Sequence, residues 1–140
     1  MRSMPTEVRA RVLADFEDTW DLTRQIAHAD GTRAHFEGQA VWVPDGQGLR
    51  YTETGKLHMA QGVVMQAERR YQWGPDLDVY FEDGRFFHRV PERGGAAEHW
   101  CDPDTYKVTY DFTHWPAFTA VWRVTGPQKS YTLRSQYSRR

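Results

Sequence analysis

A chain of 140 residues can bury one substantial core but not two, so a single domain spanning 1–140 is expected. Basic and acidic side chains number 18 and 19, a formal charge of −1, which offers no global field to DNA or RNA and argues against nucleic acid as a partner. Aromatic residues reach 14%, with six Trp, seven Tyr and seven Phe, a bias toward half-buried strands.

Pro5 to Asp15 carries Val8, Val12 and Leu13 at helical spacing with Pro5 suited to a first turn, which predicts a short N-terminal helix. From Phe16 to Ile26 the pattern changes to strict alternation, with Trp20, Leu22 and Ile26 in one phase and Asp21, Thr23 and Gln25 in the other. Arg24 shares the apolar phase. Asp30-Gly31 signals a hairpin, and Phe36, Gly38, Ala40 and Trp42 alternate along the return strand as far as Pro44-Asp45-Gly46. The third strand aligns Leu49, Tyr51, Gly55, Leu57 and Met59, with Glu53 among them, and the fourth aligns Val63, Met65, Ala67, Tyr71 and Trp73, with Arg69 among them.

Leu77, Val79 and Phe81 form a short strand, Asp83-Gly84 turns it, and Phe86, His88 and Val90 are expected to share a face. Pro91 to Ala96, with two consecutive glycines, reads as the most mobile loop, followed by a strand over Glu98 to Cys101. Tyr106 to Phe112, Phe118 to Thr125 and a final strand containing Tyr131, Leu133 and Tyr137 complete the chain. About ten short antiparallel strands joined by tight turns predict an all-β, up-and-down antiparallel β-barrel, and a barrel of that size encloses more space than eight strands, which already suffice for one small ligand.

The Thr19-Trp20-x-Leu22 stretch, on the first strand after a helical turn, resembles the Gly-x-Trp signature of lipocalins, with Asp18 in the glycine position. The chain is therefore similar to the calycins, the superfamily of lipocalins, fatty-acid-binding proteins and nitrobindin-type barrels. That resemblance implies a basic side chain from near the end of the chain packed over Trp20, with Arg134 the candidate and Arg123 the runner-up. FEDGRFFH, HWCDPDTYKVTYDF and VWRVTGPQKSYTL also resemble recurring stretches of a family of short bacterial proteins; this second resemblance implies fold and no activity.

Taking the apolar phase as inward leaves Arg24, Glu53, Arg69 and His88 inside, with Tyr51, Tyr71, Tyr110 and Tyr131 as aromatic bodies with hydroxyl tips. Buried charges are costly unless paired. Either these groups pair with one another, or two arginines against one glutamate form a net positive cavity for the carboxylate or phosphate of an otherwise apolar ligand. The expected ligand-binding set is Arg24, Tyr51, Glu53, Arg69, His88, His99, Tyr110, Trp122 and Tyr131. Fatty-acid-binding barrels hold their ligand's carboxylate with interior Arg and Tyr; their last strand carries Arg-x-Tyr, whereas Arg134-Ser-Gln-Tyr137 here puts the two side chains on opposite faces.

An alternative is a lyase or isomerase in which Glu53 or His88 moves protons while Arg24 or Arg69 holds the substrate anion. Another is a haem barrel, with His88 as axial ligand by analogy with nitrobindin-type proteins; otherwise no cofactor is expected. His99-x-Cys101-Asp102-x-Asp104 lacks the four-ligand spacing of a structural zinc site, and no metal is expected. A single cysteine fits a reducing compartment, Met1 to Phe16 lacks the apolar run of a signal peptide, and no stretch is long enough to span a membrane. A cytoplasmic monomer or homodimer, with a small molecule and no membrane as partner, is the expectation.

Overall fold

The structure is a computed structural model and describes residues 8–140. Ten strands follow one another, β1 (Asp18–His28), β2 (Arg33–Asp45), β3 (Gly48–His58), β4 (Val64–Trp73), β5 (Asp78–Phe81), β6 (Phe86–Arg89), β7 (Gly95–Cys101), β8 (Asp104–Asp111), β9 (Phe118–Thr125) and β10 (Ser130–Arg139). They form one antiparallel sheet in the order β6-β5-β4-β3-β2-β1-β10-β9-β8-β7. Consecutive strands are neighbours except that β1 also pairs with β10, from Trp20 opposite Arg139 to His28 opposite Tyr131. The sheet thus curls into a nearly closed, calycin-like up-and-down barrel, with β6 and β7 side by side at the seam but without a ladder between them.

The inward phases match the alternation read from the sequence along most strands, because a period of two fixes which side chains a curled sheet encloses. Curvature between β2 and β3 depends on the inward glycines Gly38 and Gly55, which lie directly opposite each other. A Cβ on Gly38 would collide with the Thr54 carbonyl, and one on Gly55 with the Glu37 carbonyl and the Phe36 ring. Gly38→Ala is accordingly expected to cost about 1–3 kcal/mol, the ordinary range for overpacking, read as a lowered melting temperature.

The N-terminal helical element is a single 3₁₀ turn over Leu13–Phe16, in which the Asp15 carboxylate accepts the Val12 N–H at 2.9 Å. Val8 to Val12 do not continue it, because the Arg11 N–H is spent on the Glu92 carbonyl; Pro5 to Glu7, where the expected helix begins, lie outside the described residues. The turn drives Phe16 into one end of the barrel, where its ring lies 5.0 to 6.0 Å from those of Trp42, Trp73, Phe112, Trp115 and Phe118. Trp20, fully buried, joins the same cluster. This end is plugged.

Four local expectations are corrected. The cation over Trp20 is Arg139, 4.5 Å from the ring, not Arg134 or Arg123; Arg139 is the register partner of Trp20, while Arg134 and Arg123 point outward. Phe86, His88 and Val90 do not share a face, since a bulge between Val79 and Tyr80 shifts the β5–β6 register, leaving Phe86 outside and burying both Phe87 and His88. Gly95 and Ala96 belong to β7, opposite Tyr110 and Thr109, which shortens the expected loop to Pro91–Gly94. Leu77 lies just outside β5, buried in a left-handed conformation with φ 66°.

Candidate functional site

Halfway along the barrel, Arg24 on β1, Glu53 on β3 and Arg69 on β4 meet. Glu53 and Arg69 are opposite each other in the β3–β4 register, and Arg24 reaches Glu53 across β2 because Ala40 and Gly38, the inward residues between, leave room. The Arg24 fork is bidentate on Glu53, Nη1 to Oε1 at 2.6 Å and Nη2 to Oε2 at 2.9 Å, and its Nε donates to Ser135 Oγ at 2.7 Å. Arg69 Nε donates to Oε1 at 3.0 Å, and the Tyr51 hydroxyl donates to Oε2 at 2.5 Å. Four donors occupy two carboxylate oxygens, which fills the acceptor capacity of the group.

Burial alone would raise the Glu53 carboxyl, but the hydrogen bonds and charge of Arg24, followed by the charge of Arg69 and the Tyr51 hydroxyl, outweigh it and hold the group down at about 2. Burial likewise opposes the charge on Arg24, and Glu53 more than restores it. Tyr51 is pushed well up by burial and by the Glu53 charge, and Tyr137, bonded to it at 2.8 Å between hydroxyl oxygens, rises to about 12 by the same causes. Near neutrality the cluster therefore holds two positive charges and one negative.

This network divides the interior. On the plugged side lies an enclosed cavity of only about 20 Å³, lined by Arg24, Tyr51, Glu53, His88, Tyr110, Trp122 and further aromatic side chains. That is room for about one water. His88 Nε2 is 2.9 Å from the Tyr110 hydroxyl, while His88 Nδ1 and Trp42 Nε1 are buried without a partner among the described residues. Burial, helped by the charge of His99, lowers the imidazole to about 3. A haem does not fit beside His88, since the enclosed space has room for about one water.

On the other side the barrel opens. A cavity of about 230 Å³ is walled by Ile26, Phe36, Leu57, Ala67, Tyr131 and Leu133, with Arg24, Glu53 and Arg69 as its floor and Glu68 at its edge. Arg24 and Glu53 are 5% and 2% exposed, but the Arg69 side chain is 35% exposed. Its guanidinium lies 5.0 Å from the Trp122 ring and 6.0 Å from that of Tyr71, positions that fix its plane. Among the described residues its Nε is its one hydrogen-bonded nitrogen, so both terminal nitrogens are without a protein acceptor.

Of the residues singled out in the sequence, Arg24, Glu53, Arg69 and Tyr131 line the open cavity, and Tyr51, His88, Tyr110 and Trp122 line the enclosed one. His99 lines neither; it packs at the seam against Phe81, Phe86, Phe87 and Tyr106. Ser135 and Tyr137 were not among them, although both fall in the inward phase of β10 with Leu133, and that phase was their signal.

The model of a family of unknown function, DUF6314, matches residues 16–139. The chain belongs to that family. The DUF6314 match begins at Phe16, the plug, and ends at Arg139, the cation over Trp20, so it takes in every strand and both ends of the interior network. No curated protein matches the chain. No helix among the described residues is long and apolar enough to cross a membrane.

Proposed function

We propose that this barrel is a cytoplasmic carrier or sensor that binds a small, partly apolar anion in its open cavity, with Arg69 holding the charged group. The observation that carries the reading is that Arg69 faces an apolar cavity of about 230 Å³ while both its terminal nitrogens are unengaged among the described residues. Arg24 neutralises Glu53 completely, so the second arginine leaves a surplus positive charge at the cavity floor. Binding without chemistry is favoured over a lyase or isomerase because neither candidate proton carrier titrates near neutrality. Glu53 at about 2 is a weak base with every lone pair engaged, and His88 at about 3 is sealed behind it.

Three eight-carbon probes of different charge test this by isothermal titration calorimetry: octanoate, octylammonium and octanol. The anion is expected to bind at least tenfold more tightly than the other two, and Arg69→Gln is expected to remove that preference while leaving the far-ultraviolet circular dichroism unchanged. Equal binding of the cation, or an anion preference that survives in the variant, would rule the reading out.

A further inference from the structure

The cavity's size and its supply of donors define the ligand more narrowly, given the anion reading above. We propose that the ligand is a compact apolar monocarboxylic acid, held by the end of the Arg69 fork with at most about eight carbons inside the barrel.

The head group follows from counting donors. Arg69 Nε is committed to Glu53, which leaves four N–H groups on Nη1 and Nη2, two of them parallel on the end-on edge of the guanidinium. Two parallel donors match the two oxygens of a planar carboxylate. A tetrahedral phosphate would bring a third oxygen beyond this edge, and among the described residues the only neutral side-chain donor on the cavity wall is the Tyr131 hydroxyl, near the start of β10. Charge points the same way. The floor carries a surplus of one positive charge, which one carboxylate cancels; a dianionic phosphate would leave a net negative charge beside Glu53, with Glu68 at the edge.

The body follows from the walls and the volume. Ile26, Phe36, Leu57, Ala67 and Leu133 present no hydrogen-bonding side-chain atoms, so hydroxyl-rich or amide-rich molecules would bury polar groups without partners. At roughly 30 Å³ per water-sized group, about 230 Å³ accommodates about eight such groups. The chain cannot extend deeper, because the Arg24–Glu53 pair and the aromatic plug fill the rest of the barrel. Carbons beyond that number lie in solvent and gain little.

A calorimetric series of straight-chain carboxylates from butanoate to dodecanoate at pH 7.5 tests both parts. Affinity is expected to rise about fourfold per methylene and to level off near eight carbons. Octyl phosphate is expected to bind at least tenfold more weakly than octanoate. Ala67→Phe, which fills the cavity from its wall, is expected to remove octanoate binding; if that variant fails to fold, the series on the native protein decides alone. An affinity that keeps rising through dodecanoate, or octyl phosphate binding as tightly as octanoate, would overturn this assignment while leaving Arg69-dependent anion binding intact. Equal binding of octanoate and octylammonium would instead remove the anion reading on which the assignment rests.

Discussion

Glu53→Ala is expected to lower the stability of the barrel by about 3–5 kcal/mol, the usual cost of stranding a buried charge. Arg24 is 5% exposed and its three hydrogen bonds go to Glu53 and Ser135, so removing the carboxylate leaves a nearly buried guanidinium with no acceptor of opposite charge. Denaturant titration of the variant measures the loss. The double substitution Arg24→Met/Glu53→Leu is expected to recover most of it, since apolar side chains of similar volume often replace a buried pair at little cost. A single variant within about 1 kcal/mol of the native protein would mean that Arg24 is hydrated in the folded state.

Acid is expected to unfold the protein in two overlapping stages, and the interior explains both. His88 is held at about 3 against an ordinary value of 6.5, and Glu53 at about 2 against 4.5. In each case the unfolded chain takes up its proton at a higher pH than the folded one, so stability falls as pH falls. The His88 contribution is complete above pH 6.5 and is lost progressively toward pH 3, on the order of 4 kcal/mol in all; the Glu53 contribution is complete above about 4.5 and is lost toward 2. His88→Gln is expected to flatten the dependence of stability on pH between about 6.5 and 3 while leaving the Glu53 contribution between about 4.5 and 2 in place. An unchanged slope between 6 and 4 in that variant would assign the first stage to another group.

The alternation of side chains made the barrel legible from sequence, because a curled sheet with one wet face and one enclosed face leaves a period of two in the chain. The same period marks Arg24, Glu53, Arg69 and His88 as interior polar groups. Two features escaped it for physical reasons. Phe86 and Phe87 exchanged roles because a bulge adds one residue to one strand, and a one-residue slip inverts every side chain beyond it. Arg139 escaped because the side chain that covers Trp20 is decided by the β1–β10 register, which local pattern does not encode. For the interior charges, the sequence posed mutual pairing and ligand binding as alternatives. The geometry divides them between the two arginines: Arg24 is consumed by Glu53, and Arg69 is tied by one nitrogen only.

The pairing of β1 with β10 also has a kinetic side. Every other ladder in the sheet joins strands adjacent in the chain and closes a short loop, whereas the Arg24–Ser135 contact spans 111 residues. Long loops close late and slowly. Until they do, Arg24 sits on a sheet edge with water around it, and its dehydration is deferred to the step in which the barrel shuts. The most expensive burial in the molecule is thus concentrated at its final zipping event, so Glu53→Ala is expected to slow refolding as well as to weaken the product.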